Sequence, residues 1–335
     1  MSSASFCRAA LSRLATTLAL ALCAGTAAAQ AVPDRLVFFG TSLTDSGNAF
    51  TWLSSPAGAG CGVPLNTPPY AFLDDLLVPD GVYAAGGHHV SNGATWAEVL
   101  ARSMALGVAA RPAFANPGTQ TRNYAVGGAR AVAGYPCRFN LPDQVAAYLG
   151  DSPRPTPATW FALEVGANDV RDALVAGLQQ GPGAAQAVLT NALTSLTQQL
   201  ATLHAYGARR MVLLNLPDIG ATPAVRAFGP EAQYAAGLLV GAYNQGLAGL
   251  RLTTWAALMP DADIRIVDAY GTLQSVLAQP AAFGFSNTTD PCLTPGLPPF
   301  RCANASQYVF WDGIHPTTAV HAILARQAEM VISAP

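Results

Sequence analysis

Leu36-Val37-Phe38-Phe39-Gly40-Thr41-Ser42-Leu43 sets four consecutive apolar residues against a glycine and two hydroxyl side chains. An apolar run this short, closed by a turn residue, fits a strand buried on both faces, as in parallel sheets. Similar runs lie at 123–126, 160–165, 211–215 and 264–267, giving five strand candidates. Longer segments with helical period lie between and after them, at 94–104, 141–149, 169–178, 184–206, 231–257 and 317–332. The alternation predicts an α/β fold, a doubly wound three-layer sandwich with helices on both faces of a mainly parallel five-stranded sheet. Such sheets present their sites at the carboxyl ends of the strands, which is where Ser42 falls. Pro316 suits the first turn of the last helix, where a missing N–H costs little.

The first residues read differently. Arg8 and Arg13 precede an apolar run at 14–24, and small residues ending in Ala27-Ala28-Ala29 follow. This is the pattern of a signal peptide, expected at 1–29, leaving a single domain at 30–335 that is secreted to the periplasm or the exterior. No later stretch is long and apolar enough to span a bilayer. A formal charge of −2, from 19 acidic and 17 basic residues, gives no basic footprint for nucleic acid. Outside 1–29 the cysteines are Cys61, Cys137, Cys292 and Cys302. An even number in an oxidising compartment reads as two disulfides, with Cys292 paired to Cys302 across a short turn-rich stretch and Cys61 left for Cys137. A four-cysteine zinc site is the competing reading, but the close C-x-x-C spacing is missing and no metal is expected. The stretches 51–93 and 287–311, rich in Gly, Pro, Asn and Ser, read as disulfide-stapled loops near a substrate entrance.

A serine hydroxyl becomes a nucleophile only when a base takes its proton and a third group orients that base. Ser42 has the position, although strand-end serines also commonly cap helices. Of the five histidines, His204 lies in a helical run and His88 and His89 in a loop, both readable as surface positions. His315 is set apart by Trp311-Asp312-Gly313-Ile314-His315-Pro316, where a carboxylate three residues earlier, on a turn opened by glycine, can reach the ring Nδ1. Asp312 could equally be a simple helix cap. Two further strand ends offer donors for a developing oxyanion: Asn123-Tyr124-Ala125-Val126-Gly127-Gly128 and Glu164-Val165-Gly166-Ala167-Asn168-Asp169. Each taken singly is also an ordinary turn or cap.

Together these blocks carry a resemblance. Gly40-Thr41-Ser42-Leu43-Thr44-Asp45-Ser46-Gly47-Asn48 resembles the first block of the SGNH or GDSL hydrolases, Asn123 to Gly128 the glycine block, Gly166-Ala167-Asn168-Asp169 the Gly-x-Asn-Asp block, and Asp312 to Pro316 the Asp-x-x-His block, in the family's order. Ser91-Asn92-Gly93 followed by Trp96-Ala97-Glu98 is similar to a bacterial lipase, lysophospholipase or hemolysin subgroup. The resemblance implies a flavodoxin-like SGNH fold and a catalytic triad of Ser42, His315 and Asp312. It also implies an oxyanion hole from the Ser42 N–H, the Gly128 N–H and the Asn168 side chain, with Gly127 as the alternative glycine. It implies a carboxylic ester hydrolase, acting on fatty-acyl or lipid esters without a cofactor, monomeric and in transient contact with lipid surfaces. One departure is that Thr41 stands where the motif has its aspartate, which puts the rigidity of the Ser42 loop in question.

The Gly-x-Ser-x-Gly elbow, the His-Glu-x-x-His helix and the phosphate-binding loop are absent from the sequence. The same triad would also serve a lipid acyltransferase, a choline esterase or a carbohydrate deacetylase. An inactive binding or adhesion module on this fold is the reading outside enzymes.

Overall fold

A computed structural model describes residues 32–59, 61, 88–117, 120–135, 137, 139–151, 153–293 and 301–335. The expected signal peptide and residues 62–87 of the first loop lie outside them. Four strands, β1 (Arg35–Gly40), β2 (Thr159–Glu164), β3 (Arg210–Leu214) and β4 (Asp263–Val267), form a parallel sheet in that spatial order. The register sets Leu36 beside Trp160 and Gly40 beside Glu164.

The helices are α1 (Asn48–Leu53), α2 (Pro56–Ala59), α3 (Trp96–Ser103), α4 (Leu141–Asp151), α5 (Ala167–Gln180), α6 (Pro182–Tyr206), α7 (Pro223–Arg226), α8 (Pro230–Leu250), α9 (Ala256–Leu258), α10 (Ala269–Ala278) and α11 (Thr318–Ser333). Successive strand residues point to opposite faces, and both faces are covered. Val37, Phe39, Phe161, Leu163, Met211 and Leu213 join the core made with α4, α5, α6 and α8. Leu36, Phe38, Trp160, Ala162, Val212 and Leu214 join the core made with α3, α10 and α11. This is why the strands read as unbroken apolar runs rather than alternating ones.

The expected fifth strand is a correction. Residues around Asn123 run beside β1, with Phe38 N–H donating to Arg122 O (2.9 Å), Tyr124 N–H to Phe38 O (2.8 Å) and Val126 N–H to Gly40 O (3.1 Å), but only as an isolated bridge. Asn123 also bridges Pro112, and its side chain binds the turn after β1, so the segment is held by cross-links rather than by a ladder. Counted with it, the spatial order by chain rank is 2-1-3-4-5, the flavodoxin-like arrangement with its switch point at β1.

Two other expectations change. The single helix at 231–257 is broken by a π turn at Arg251–Trp255 between α8 and α9; the extra residue accompanies a buried Trp255 whose Nε1 donates to Thr197 Oγ1 (2.9 Å). Within 287–311, β5 (Asn287–Pro291) and β6 (Tyr308–Phe310) pair in parallel as a small second sheet. Cys292 is bonded to Cys302, and Cys61 to Cys137.

Candidate active site

Ser42 leaves the carboxyl end of β1 in a tight turn, in which Thr44 N–H and Asp45 N–H both donate to Thr41 O (3.0 and 2.9 Å). The turn is bolted down from several sides. Asp45, fully buried, accepts the N–H groups of Gly47 (2.7 Å), Asn48 (2.6 Å), Ala49 (2.9 Å) and Gly127 (2.8 Å). Burial raises the Asp45 carboxyl above its ordinary range, and these four N–H groups pull it back. Asn123 Nδ2 donates to Thr44 O (2.8 Å), and Asn48 Nδ2 returns to Asn123 O (2.7 Å) and Ala125 O (2.9 Å). The first and second sequence blocks are thus one hydrogen-bonded body.

His315 comes from the opposite end of the chain. Asp312 Oδ1 accepts Ile314 N–H (2.8 Å) and His315 N–H (2.6 Å), closing the turn, while Oδ2 lies 2.7 Å from His315 Nδ1. His315 Nε2 lies 2.8 Å from Ser42 Oγ. A carboxylate only accepts, so Nδ1 carries the proton and Nε2 is left to take one from Ser42. The helix-cap alternative for Asp312 does not describe what is seen: Thr317, not Asp312, holds the N-cap position of α11.

Asn168 stands in the first turn of α5, after Gly166 (φ 124), where a Cβ would collide with the Tyr243 ring. Its Nδ2 donates to Ala129 O (2.8 Å) and it lines the same cavity as Ser42 and His315. Of the two candidate glycines, Gly127 has its N–H on Asp45, whereas Gly128 takes a positive φ of 77°. Arg130, unremarked in the sequence, ties these blocks together: Nη1 donates to Gly128 O (2.6 Å), and Nε and Nη2 grip Asp172 of α5 at 2.9 and 2.8 Å. Asp169 accepts Ala131 N–H (3.1 and 3.0 Å), and burial lifts its carboxyl to about 6.

The histidines read as surface positions are only partly so. His89 is buried and pairs through Nε2 with Glu98 Oε2 (2.8 Å), His88 stacks on Phe50, and His204 meets Asp261 at 2.6 Å. Among the described residues no group of three or more His, Cys, Asp or Glu could hold a metal ion.

The cavity, about 100 Å³, runs from Ser42, Asn168 and His315 between the 3₁₀ turn Ile219–Ala221, α7, α10 and α11. Ile219, Val225, Leu273, Phe310, Val320 and Leu324 make its walls mainly apolar. The family model described as GDSL-like Lipase/Acylhydrolase matches residues 36–328. The chain belongs to this family. Two GDSL esterase/lipases of Arabidopsis thaliana resemble this GDSL hydrolase: At1g71250 is 30% identical over 89% of this chain and 85% of its own length, and At1g29660 is 32% identical over 39% of each. The chain thus spans about two fifths of one of these relatives and most of the other. The thermolabile hemolysin of Vibrio parahaemolyticus is 26% identical over 88% of this chain and 62% of the hemolysin. As a GDSL family member with this α/β fold, the protein is a carboxylic ester hydrolase.

Proposed function

We propose that this GDSL hydrolase cleaves fatty-acyl or lipid esters by acyl transfer through Ser42, His315 and Asp312. The observation that carries the reading is the unbroken relay from Ser42 Oγ to His315 Nε2 (2.8 Å) and from Nδ1 to Asp312 Oδ2 (2.7 Å), set at the mouth of an apolar cavity. His315 takes the Ser42 proton as Oγ attacks the ester carbonyl carbon. The oxyanion is received by the Ser42 and Gly128 N–H groups and Asn168 Nδ2. As the tetrahedral adduct collapses, the C–O bond to the alcohol breaks and His315 returns its proton to the leaving oxygen. Water then enters by the same route, releases the acid and restores Ser42; no cofactor takes part. The walls formed by Ile219, Val225, Leu273 and Leu324 suit an aliphatic acyl chain, at about 0.8 kcal/mol for each buried methylene. The chain is exported after removal of residues 1–29, in keeping with its two disulfides, and acts as a monomer in a single domain at 30–335.

The test is Ser42→Ala. The unaltered enzyme should hydrolyse a nitrophenyl ester and take a fluorophosphonate label, and the folded variant should lose both. A folded Ser42→Ala protein with undiminished turnover would remove Ser42 from the mechanism.

A further inference from the structure

One buried carboxylate beside the nucleophile has no part in the relay. Glu164 closes β2 opposite Gly40, the last residue of β1, and is 2% exposed. The strand ends approach so closely that a Cβ on Gly40 would lie 2.6 Å from Glu164 O and 2.9 Å from Thr44 Oγ1. Among the described residues, the hydrogen-bond partners of the Glu164 carboxyl all belong to the turn that carries Ser42. Thr41 N–H donates to Oε2 (3.2 Å), Thr41 Oγ1 lies 3.0 and 2.9 Å from the two oxygens, and Thr44 Oγ1 donates to Oε2 (3.2 Å). Trp96 Nε1 donates to Thr44 Oγ1 (3.0 Å), which turns the Thr44 proton toward Glu164.

We propose that Glu164 is a positioning residue for the nucleophile, an ionised carboxylate that clamps the turn on both sides of Ser42 and whose charge favours the imidazolium formed at His315. The inference rests on Ser42 and His315 being the reacting pair. Among the described residues the Thr41 N–H can only donate to the carboxyl, and the Thr44 hydroxyl, which accepts from Trp96, has its proton free to donate, an arrangement that suits the ionised form. Burial lifts Glu164 to about 7 even with the Thr41 and Thr44 donors and the positive charge of His315 opposing the rise, so the carboxyl takes its charge near neutral pH. The effect of His315 is reciprocal: a charge on Glu164 holds the proton on His315 more firmly. Among the described residues, Tyr243 of α8 also faces it. Burial pushes that phenol well above 10, with Asp169 and Glu164 adding to the rise, and its hydroxyl donates to Val165 O (2.9 Å), so it stays neutral. Asp169, at about 6, lies on α5 and binds Ala131 N–H instead. The arrangement also answers the departure at position 41: the threonine reaches a carboxylate supplied by the neighbouring strand.

Steady-state kinetics of Glu164→Gln on a short-chain nitrophenyl ester from pH 5 to 9 tests this. We expect kcat to fall by about tenfold or more with KM within about twofold. The acid limb of kcat/KM should move to lower pH, because His315 loses a neighbouring negative charge. Glu164→Asp, which keeps the charge, should hold the limb in place. An unshifted limb in folded Glu164→Gln overturns the inference, and a fall in stability without the shift marks a structural tie only. Should Glu164→Gln not fold, Thr41→Ser should turn over at least about fivefold faster than Thr41→Val; equal rates would overturn it as well. Failure of the underlying reading would appear separately, as activity in Ser42→Ala.

Discussion

Asp312 divides its two oxygens between the backbone of its own turn and the imidazole, and that division makes the residue testable. In Asp312→Asn the side-chain oxygen can still accept the Ile314 and His315 N–H groups, so the melting temperature should change little. The amide nitrogen would then face Nδ1 as a donor and force the proton to Nε2, where it cannot accept from Ser42. Turnover should drop by roughly four orders of magnitude, as in other triads so altered; a loss below about tenfold in steady-state assays would show that Asp312 does not set the tautomer. The grouping of Ser42, His315 and Asp312 was legible because one lies at a strand end and the other two share a short turn. Glu164 and Arg130 were not, since their partners lie across the fold, Glu164 to Thr41 being 123 residues apart. A signal was nevertheless present: a glutamate ending the apolar run at 160–165 is a charge where both sheet faces are covered.

At the scale of elements, α11 carries a histidine that the relay does not use. His321 is buried, and neither ring nitrogen has a hydrogen-bond partner among the described residues. Burial, with the charges of His315 and His89 adding to it, drives its pKa down to about 3. The unfolded chain therefore binds a proton that the folded chain refuses between about pH 6.5 and 3, and stability falls as pH drops through that window. His321→Leu should remove this cost, so thermal melts should show the variant gaining on the unaltered protein at pH 5 compared with pH 8. A pH-independent difference would mean that His321 does not titrate on unfolding. The strands could be read from short unbroken apolar runs and the long helices from their period, because core burial imposes both. The segment at Asn123 and the π turn at Arg251–Trp255 could not, because cross-links and one buried tryptophan override the local pattern there.

For the molecule as a whole, the two disulfides act on different lengths of chain. Cys61–Cys137 spans 76 residues and Cys292–Cys302 spans 10, so in the chain-entropy account they contribute about 4.5 and about 3 kcal/mol. Replacing each pair by serines and comparing urea denaturation should find the larger loss at Cys61 and Cys137; the reverse order would mean that the short bridge acts through the folded state, where Cys292 and Leu293 pack with Trp311, next to Asp312 in the chain. The sheet itself has a practical consequence. Val32 lies just before β1, where Asp34 meets Thr156 and Thr159 at the start of β2, and the other end of the chain is drawn to Arg265 of β4, whose Nη1 takes Val331 O (2.7 Å) and Ala334 O (2.6 Å). Asp34 precedes β1, and Arg265 also grips Asp263, the first residue of β4, so both places lie toward the amino end of the strands, whereas Ser42 and Asn168 follow the carboxyl ends of β1 and β2. A tether joined near residue 32 or beyond residue 334, whether to a bead, a fused carrier or a surface, would therefore leave the cavity mouth facing outward, toward arriving ester.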